Sequence, residues 1–151
     1  MEPKNNKIKV FTTFLLVLAF ASFAEAQKTI VVCPSGCDYN KIQSAIDSAN
    51  PGDIIEVLSG TYYENVKVNK KIILKGIDSG KGKPVVVARG RGSAITIKAD
   101  GVTLEGFNAK NSIYRPYYGI MVISNNNVLK NNTASNNNYG IYLSNSRSNT
   151  L

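Results

Sequence analysis

The chain has no histidine, only two cysteines, and ten acidic residues against eighteen basic ones in 151. Each shortage closes off a kind of chemistry. Without imidazole, a copper site would rest on Cys33 and Cys37, with Met121 as the one methionine beyond the N-terminus, too few soft ligands to close a coordination shell. No metal or cofactor is expected. From Gly76 onward the only acids are Asp78, in a glycine-rich loop, Asp100, before a glycine turn, and Glu105, just after a strand. The paired carboxylates needed for glycoside hydrolysis or calcium binding are not apparent, so the expectation is no enzyme and no catalytic residue.

Long apolar runs are scarce too. The one that stands out covers residues 10–23, follows Lys4, Lys7 and Lys9, and ends in Ala24-Glu25-Ala26. This is the pattern of a secretory signal peptide cleaved after Ala26, with an uncleaved anchor as the alternative. Cleavage would leave 125 residues, enough for one domain, with no further apolar segment to span a membrane. It would also remove three lysines and two glutamates, for a net charge of +7. The chain is therefore expected to be secreted or held at the cell surface.

Export frames the cysteines, which lie four apart in Cys33-Pro34-Ser35-Gly36-Cys37. An oxidising compartment favours a Cys33–Cys37 disulfide. Free thiols or half a metal site are the alternatives, and the second needs two more ligands.

What the chain does have is periodicity. Ile42, Ala45, Ile46 and Ala49 fall at helical spacing with polar residues between, so a short amphipathic helix is predicted, N-capped by Asp38 and stopped by Asn50-Pro51-Gly52. Short β-branched runs follow: Ile54-Ile55-Glu56-Val57, Val66-Lys67-Val68, Ile72-Ile73-Leu74, Val85-Val86-Val87, Ile95-Thr96-Ile97 and Val102-Thr103-Leu104. Glycines punctuate them.

In the last third, Tyr118-Gly119-Ile120 returns as Tyr139-Gly140-Ile141, 21 residues on, and the stretch between is rich in asparagine. Asparagine tolerates left-handed backbone and bonds its neighbours, so aligned asparagines are expected at coil corners. A repeat of this length built from short strands and turns predicts an all-β, single-stranded parallel β-helix with one N-terminal capping helix. We divide it as residues 1–26, signal peptide; 27–52, N-terminal segment and capping helix; and 53–151, the β-helix. The last has 99 residues, about four to five coils, each adding about 4.8 Å of height. Ile120-Met121-Val122 and Ile141-Tyr142-Leu143 occupy one strand position, Val128-Leu129 and Thr150-Leu151 the next, and an insertion falls at residues 111–117. The stack stops in mid-repeat, which suggests either a longer parent or an open edge free for edge-to-edge self-association.

The segments Asp38-Tyr39, Ile42-Gln43-Ser44-Ala45-Ile46, Pro51-Gly52-Asp53-Ile54-Ile55, Gly60-Thr61-Tyr62-Tyr63-Glu64-Asn65-Val66 and Lys71-Ile72-Ile73-Leu74-Lys75-Gly76 resemble the N-terminus of pectin-lyase-like right-handed β-helix proteins. The Asn-rich Tyr-Gly-Ile coils are similar to the NosD-like repeats of secreted proteins. The resemblance implies a right-handed parallel β-helix outside the cytoplasm, often as a module of larger surface proteins. It does not imply catalysis. Gly60-Thr61-Tyr62-Tyr63-Glu64 is shared in outline with pectin methylesterases, yet no partner residues follow, and the segment is expected to turn the first coil.

That leaves the surface. Lys67, Lys70, Lys71, Lys75, Lys81, Lys83, Arg89 and Arg91 crowd the first coils, as a solvated face or as a groove for acidic polymer or cell-wall glycan. Tyr114, Tyr117 and Tyr118, beside Arg115, are candidates for stacking on sugar rings, or for covering the apolar stack. Asn131-Asn132-Thr133 is a sequon that makes Asn131 a candidate glycosylation site. The expected partners are polysaccharide or envelope components, not nucleic acid. Two readings follow: a non-catalytic envelope module, structural, adhesive or glycan-binding; or the N-terminal part of a polysaccharide lyase or hydrolase whose catalytic coils lie beyond Leu151.

Overall fold

The computed structural model describes residues 26–89, 91–110 and 116–151. Most of the expected signal peptide, up to Glu25, and Tyr114 and Arg115 of the expected insertion lie outside them. Among the described residues the chain opens with β1 (Thr29–Val32) and α1 (Ile42–Ser48). Four three-stranded coils follow: β2 (Ile54–Leu58), β3 (Thr61–Tyr63), β4 (Val66–Val68); β5 (Ile73–Ile77), β6 (Val85–Val87), β7 (Ile95–Ile97); β8 (Thr103–Glu105), β9 (Asn108–Lys110), β10 (Tyr118–Val122); and β11 (Val128–Lys130), β12 (Thr133–Ser135), β13 (Tyr139–Leu143).

Every third strand lands on its counterpart one coil away, always parallel. The first sheet is β1-β2-β5-β8-β11, the second β3-β6-β9-β12, the third β4-β7-β10-β13. This is a parallel β-helix of about four turns, as the repeat predicted. Thr150 bridges to Val128 at the position the sequence assigned to it.

Alternation within each short strand sends one set of side chains inward, and the parallel register stacks like on like. In the first sheet Ile30, Ile55, Leu74, Leu104 and Leu129 form one continuous inward row. In the third, Val66, Ile95, Ile120 and Ile141 make one row and Val68, Ile97, Val122 and Leu143 a second. The second sheet is leaner inside, with Tyr62, Val86, Ala109 and Ala134. Each fully buried aliphatic side chain contributes about 1.5–3 kcal/mol. The rows are closed at mid-stack and open at the last coil, where Ile141 is 38% and Leu143 37% exposed.

Outward rows differ from sheet to sheet. On the first sheet Glu56, Lys75, Glu105 and Lys130 follow one another up the stack, opposite charges in register, with Lys130 Nζ 3.4 Å from Glu105. On the third the row is Lys67, Thr96, Met121, Tyr142.

At the N-terminal end, α1 buries Ile42, Ala45, Ile46 and the following Ala49 in the same core as the first coil. Its predicted N-cap is corrected: Lys41 occupies that position without a side-chain bond, and the first free N–H groups, of Ile42 and Gln43, are instead taken by the two Glu64 carboxylate oxygens at 2.9 and 3.0 Å. Asp38 turns the other way and accepts the Val31 N–H at 2.8 Å. The C-terminal carbonyls are met by Lys70, whose Nζ lies 2.7 Å from Asp47 O and from Ala49 O, a cation where the helix dipole favours one. Cys33 and Cys37 are joined by a disulfide, and the loop it closes lays Tyr39 along β1, so that part of this edge is already paired.

Candidate functional site

The outer face of the third sheet carries a groove of about 490 Å³ with a mixed cationic and aromatic lining. Lys67 projects from β4, Thr96 from β7 and Met121 from β10, because each is the outward residue of its strand and the three stand in one register row. Lys98, just past β7, and Arg91, in the loop before it, flank the row, and Tyr117 closes the end nearest β10. Three cations, one phenol and one thioether face the opening, with no carboxylate among them.

The floor of the groove is knitted by Asn65. Its Nδ2 donates to Ser93 O at 3.0 Å and its Oδ1 accepts the Arg89 N–H at 3.2 Å, so one side chain holds both ends of the loop that bears Arg91. Gly92 sits at φ 142° and a Cβ there would lie 2.7 Å from Asn65 Nδ2. Only glycine combines that backbone with that contact. Ser93 Oγ then accepts the Tyr118 N–H at 3.1 Å, joining the groove to β10.

Above the groove stand the tyrosines of the repeat. The Tyr118 and Tyr142 rings are stacked with centroids 4.3 Å apart and planes 6° from parallel, and Tyr139 leans on Tyr118 at 5.5 Å. Desolvation, then the neighbouring phenols of Tyr142 and Tyr139, raise the Tyr118 pKa above the ordinary tyrosine value. Within this motif Gly119 and Ile120 are both buried, a slip in the alternation that turns Tyr118 away from the inward row. A Cβ on Gly119 would run into Asn137 Nδ2 and lie 2.9 Å from Gly140 O, so this glycine is required by packing against the next coil, whereas at Gly140 the nearest atom would be 3.7 Å away.

Of the predicted stacking residues, Tyr117 lines the groove, while one face of Tyr118 is covered by Tyr142. Tyr114 and Arg115 lie outside the described residues. Asn131 is exposed at a corner with φ 54°, and its carbonyl accepts Lys83 Nζ at 2.6 Å. Nothing in the sequence marks Lys98, Thr96 or Met121 for this face. Lys67 and Met121 are 54 residues apart, and only the coil lengths reveal that they share a row.

The Gly60–Glu64 region holds a second hollow of about 290 Å³, but its chemistry is spoken for. Glu64 caps α1 with both oxygens, and the buried Tyr62 donates to Leu58 O at 2.8 Å. Burial, then the Glu64 charge, raises the Tyr62 pKa. Other carboxylates also serve the backbone. Asp53 accepts the N–H groups of Lys28 and Asn50 at 2.9 and 2.8 Å, which hold its pKa low; Asp78 accepts those of Gly80 and Gly82, each at 2.9 Å, with the same effect. Asp100 accepts the Asn125 N–H at 2.7 Å. Among the described residues no three acids or cysteines converge as a metal site would need, and no helix is long and apolar enough to cross a membrane.

No family model matches the chain. It is 36% identical over 128 residues to a cell surface glycoprotein of Methanothermus fervidus, a match covering 81% of this chain and 21% of that protein. The chain therefore spans about a fifth of that relative's length. Among solved structures, pectin methylesterase in complex with hexasaccharide VII superposes with a TM-score of 0.64 at 18% identity, over 76% of this chain and 45% of the other. An Asp-to-Ala variant of pectin methylesterase in complex with hexasaccharide IV gives 0.65 at 17%, over 80% and 48%. At such identities the likeness is one of fold, a right-handed parallel β-helix like that of those pectin methylesterases.

Proposed function

We propose that the chain is a non-catalytic β-helix module of the cell envelope, exposed outside the cytoplasm, which binds glycan on the outer face of its third sheet. The observation that carries this reading is the groove itself, where cations, a phenol and a thioether face solvent without a carboxylate among them. Elsewhere Glu64, Asp53 and Asp78 are engaged by backbone N–H groups, which is the work of a scaffold. The kinship with a protein named cell surface glycoprotein supports the envelope setting, and the run over residues 1–26 supplies a leader that would take the chain there. In this reading the Asn-rich Tyr-Gly-Ile coils are NosD-like repeats, and Asn131, exposed on an outward corner, is an acceptor for N-linked sugar.

The test is a glycan array probed with the purified chain, paired with an assay for new reducing ends on polygalacturonate. Retention of polysaccharide, lost in Tyr117→Ala, with no reducing ends released, is the expected result. Cleavage of the polymer would overturn the non-catalytic reading, and failure to retain any glycan would overturn the binding one. Mass spectrometry of the native protein checks Asn131, whose peptide should carry hexose increments.

A further inference from the structure

We infer that the outer face of the first sheet is an interface between two copies of this chain, which meet about a twofold axis lying along the strands. Three rows of outward side chains run up this face. The middle row is Glu56, Lys75, Glu105 and Lys130, alternating in sign rung by rung, with Lys130 Nζ drawn to 3.4 Å from Glu105. Before it along the strands stand Ile54, Ile73, Thr103 and Val128, and after it, on the two longer strands, Leu58 and Ile77. All of them keep part of their surface open to solvent. Aliphatic rows on an outward face mark a surface made for contact.

The order of the charges selects the partner. From the N-terminal rung upward the row runs negative, positive, negative, positive, so a copy turned end over end presents the complementary sequence. Rotation about an axis along the strands reverses the rungs and keeps each row against its own counterpart. Glu56 then faces the partner's Lys130, and Lys75 faces the partner's Glu105, with the same two pairs repeated by symmetry. The apolar row meets itself in the same way, Ile54 against the partner's Val128 and Ile73 against the partner's Thr103. A twofold along the stack would instead set every charge against its own kind, and like-charge juxtaposition excludes it.

The row is also neutral as a whole, in a chain whose net charge is +8. Two positively charged copies can therefore approach on this face without the repulsion they meet elsewhere. On the third sheet the row Lys67, Thr96, Met121, Tyr142 offers neither cancellation nor self-complementarity. Size sets the strength. Five rungs at about 4.8 Å by five residues at about 3.3 Å make a face of roughly 24 by 17 Å, on the order of 400 Å² per copy. A standard interface takes about 800 Å² per partner, so this dimer is weak and depends on concentration.

Sedimentation of the full chain over a rising concentration series tests it. We expect a monomer–dimer equilibrium in the micromolar range that weakens as salt is raised. Lys75→Glu/Lys130→Glu makes the row wholly acidic and Glu56→Lys/Glu105→Lys wholly basic; each alone should lose at least about tenfold in self-affinity, and an equal mixture of the two should recover it. Glu56→Lys/Lys75→Glu/Glu105→Lys/Lys130→Glu inverts every sign but keeps neighbouring rungs opposite, so it keeps the test open if the two-site variants fail to fold. It should pair with itself and not with the natural chain. A chain that stays monomeric up to millimolar concentration overturns the interface, as do mixed dimers between the inverted and natural chains. Self-association that survives in the row variants and is lost in Ile141→Asn/Leu143→Asn belongs to the open last coil and overturns it too.

Discussion

The lower and upper coils close the same corners with different chemistry. Before the first sheet the equivalent positions up the stack are Ile72, Val102, Asn127 and Asn149, as the bonds from Thr103 N to Ile72 O, Val128 N to Val102 O and Thr150 N to Asn127 O show. The first two are fully buried aliphatics. Asn127 is just as buried, at 0% exposure, but its Oδ1 accepts the Val102 N–H at 2.8 Å, and its Nδ2 donates to Ser124 Oγ and Asn149 Oδ1 at 3.0 and 2.9 Å. After the first sheet the buried Phe107 is followed one coil up by Asn132, which accepts the Phe107 N–H at 3.0 Å and donates to Leu104 O at 2.9 Å. A corner can thus be filled with apolar volume or tied with amide bonds. The second solution demands a regular spacing, because each amide must find the backbone of the coil beneath. In the lower coils Ile54 to Ile73 spans 19 residues and Ile73 to Thr103 spans 30; in the upper ones Thr103 to Val128 and Val128 to Thr150 span 25 and 22.

Breaking a filled position should cost most. Leu104→Ala, in the middle of the closed row of the first sheet, is expected to lose about 2–5 kcal/mol, and Leu129→Ala, nearer the open end, toward the lower limit. Denaturant midpoints compare the two, and equal losses would show that the last coil is as tightly closed as the middle. Breaking a tied position comes next. Asn127→Leu leaves the Val102 N–H, the Ser124 hydroxyl and the Asn149 amide short of a partner and should cost about 1–3 kcal/mol despite the added apolar volume. A stabilised variant would mean that the upper corners are apolar sites occupied by asparagine incidentally. Smaller again is the turn itself: Asn126 and Asn136 hold φ of 57° and 54°, so either replaced by Ala should cost about 1 kcal/mol, and by Gly a few tenths.

The pH limits separate the two ends of the molecule. Asp53, at the helix-capped end, has a folded pKa below 3.8 because backbone N–H groups bind its charged form, so its contribution is present above that value and is lost as pH falls through the folded one. Tyr118, in the upper stack, has its pKa raised above 10.0, so its contribution is present below that value and is lost as pH rises through the folded one. Tyr118→Phe should shallow the alkaline loss of stability and leave the acid one unchanged. The buried Tyr62, whose pKa is raised by burial and then by the Glu64 charge, contributes to the alkaline loss that persists.

Where a strand buries aliphatic residues, the sequence declared it, as in Val66-Lys67-Val68 and Ile95-Thr96-Ile97. The second sheet was largely silent. Thr61-Tyr62-Tyr63, Asn108-Ala109-Lys110 and Thr133-Ala134-Ser135 bury a tyrosine or an alanine, too little apolar contrast to mark a strand, and β3 was expected as a turn. Ile72 and Val102 misled in the other direction: they read as strand residues but fill corners, because burial at a bend leaves the same apolar signature as burial in a sheet. The helix was legible from its apolar spacing and its cap was not, since Glu64 lies 22 residues beyond Ile42 and only coil closure brings them together. The groove was half visible. Lys67, Arg91 and Tyr117 stood out by type, while their meeting on one face is a product of coil lengths that composition does not encode.

The alternating charges of the first sheet bear on how such a stack is assembled. A solenoid of near-identical rungs invites misthreading, in which a strand docks on the rung beyond its proper neighbour. Here a skipped rung would set Glu56 against Glu105, or Lys75 against Lys130. Like charges directly opposite are repelled, so the row works as a parity check on assembly, admitting each rung only beside one of opposite sign.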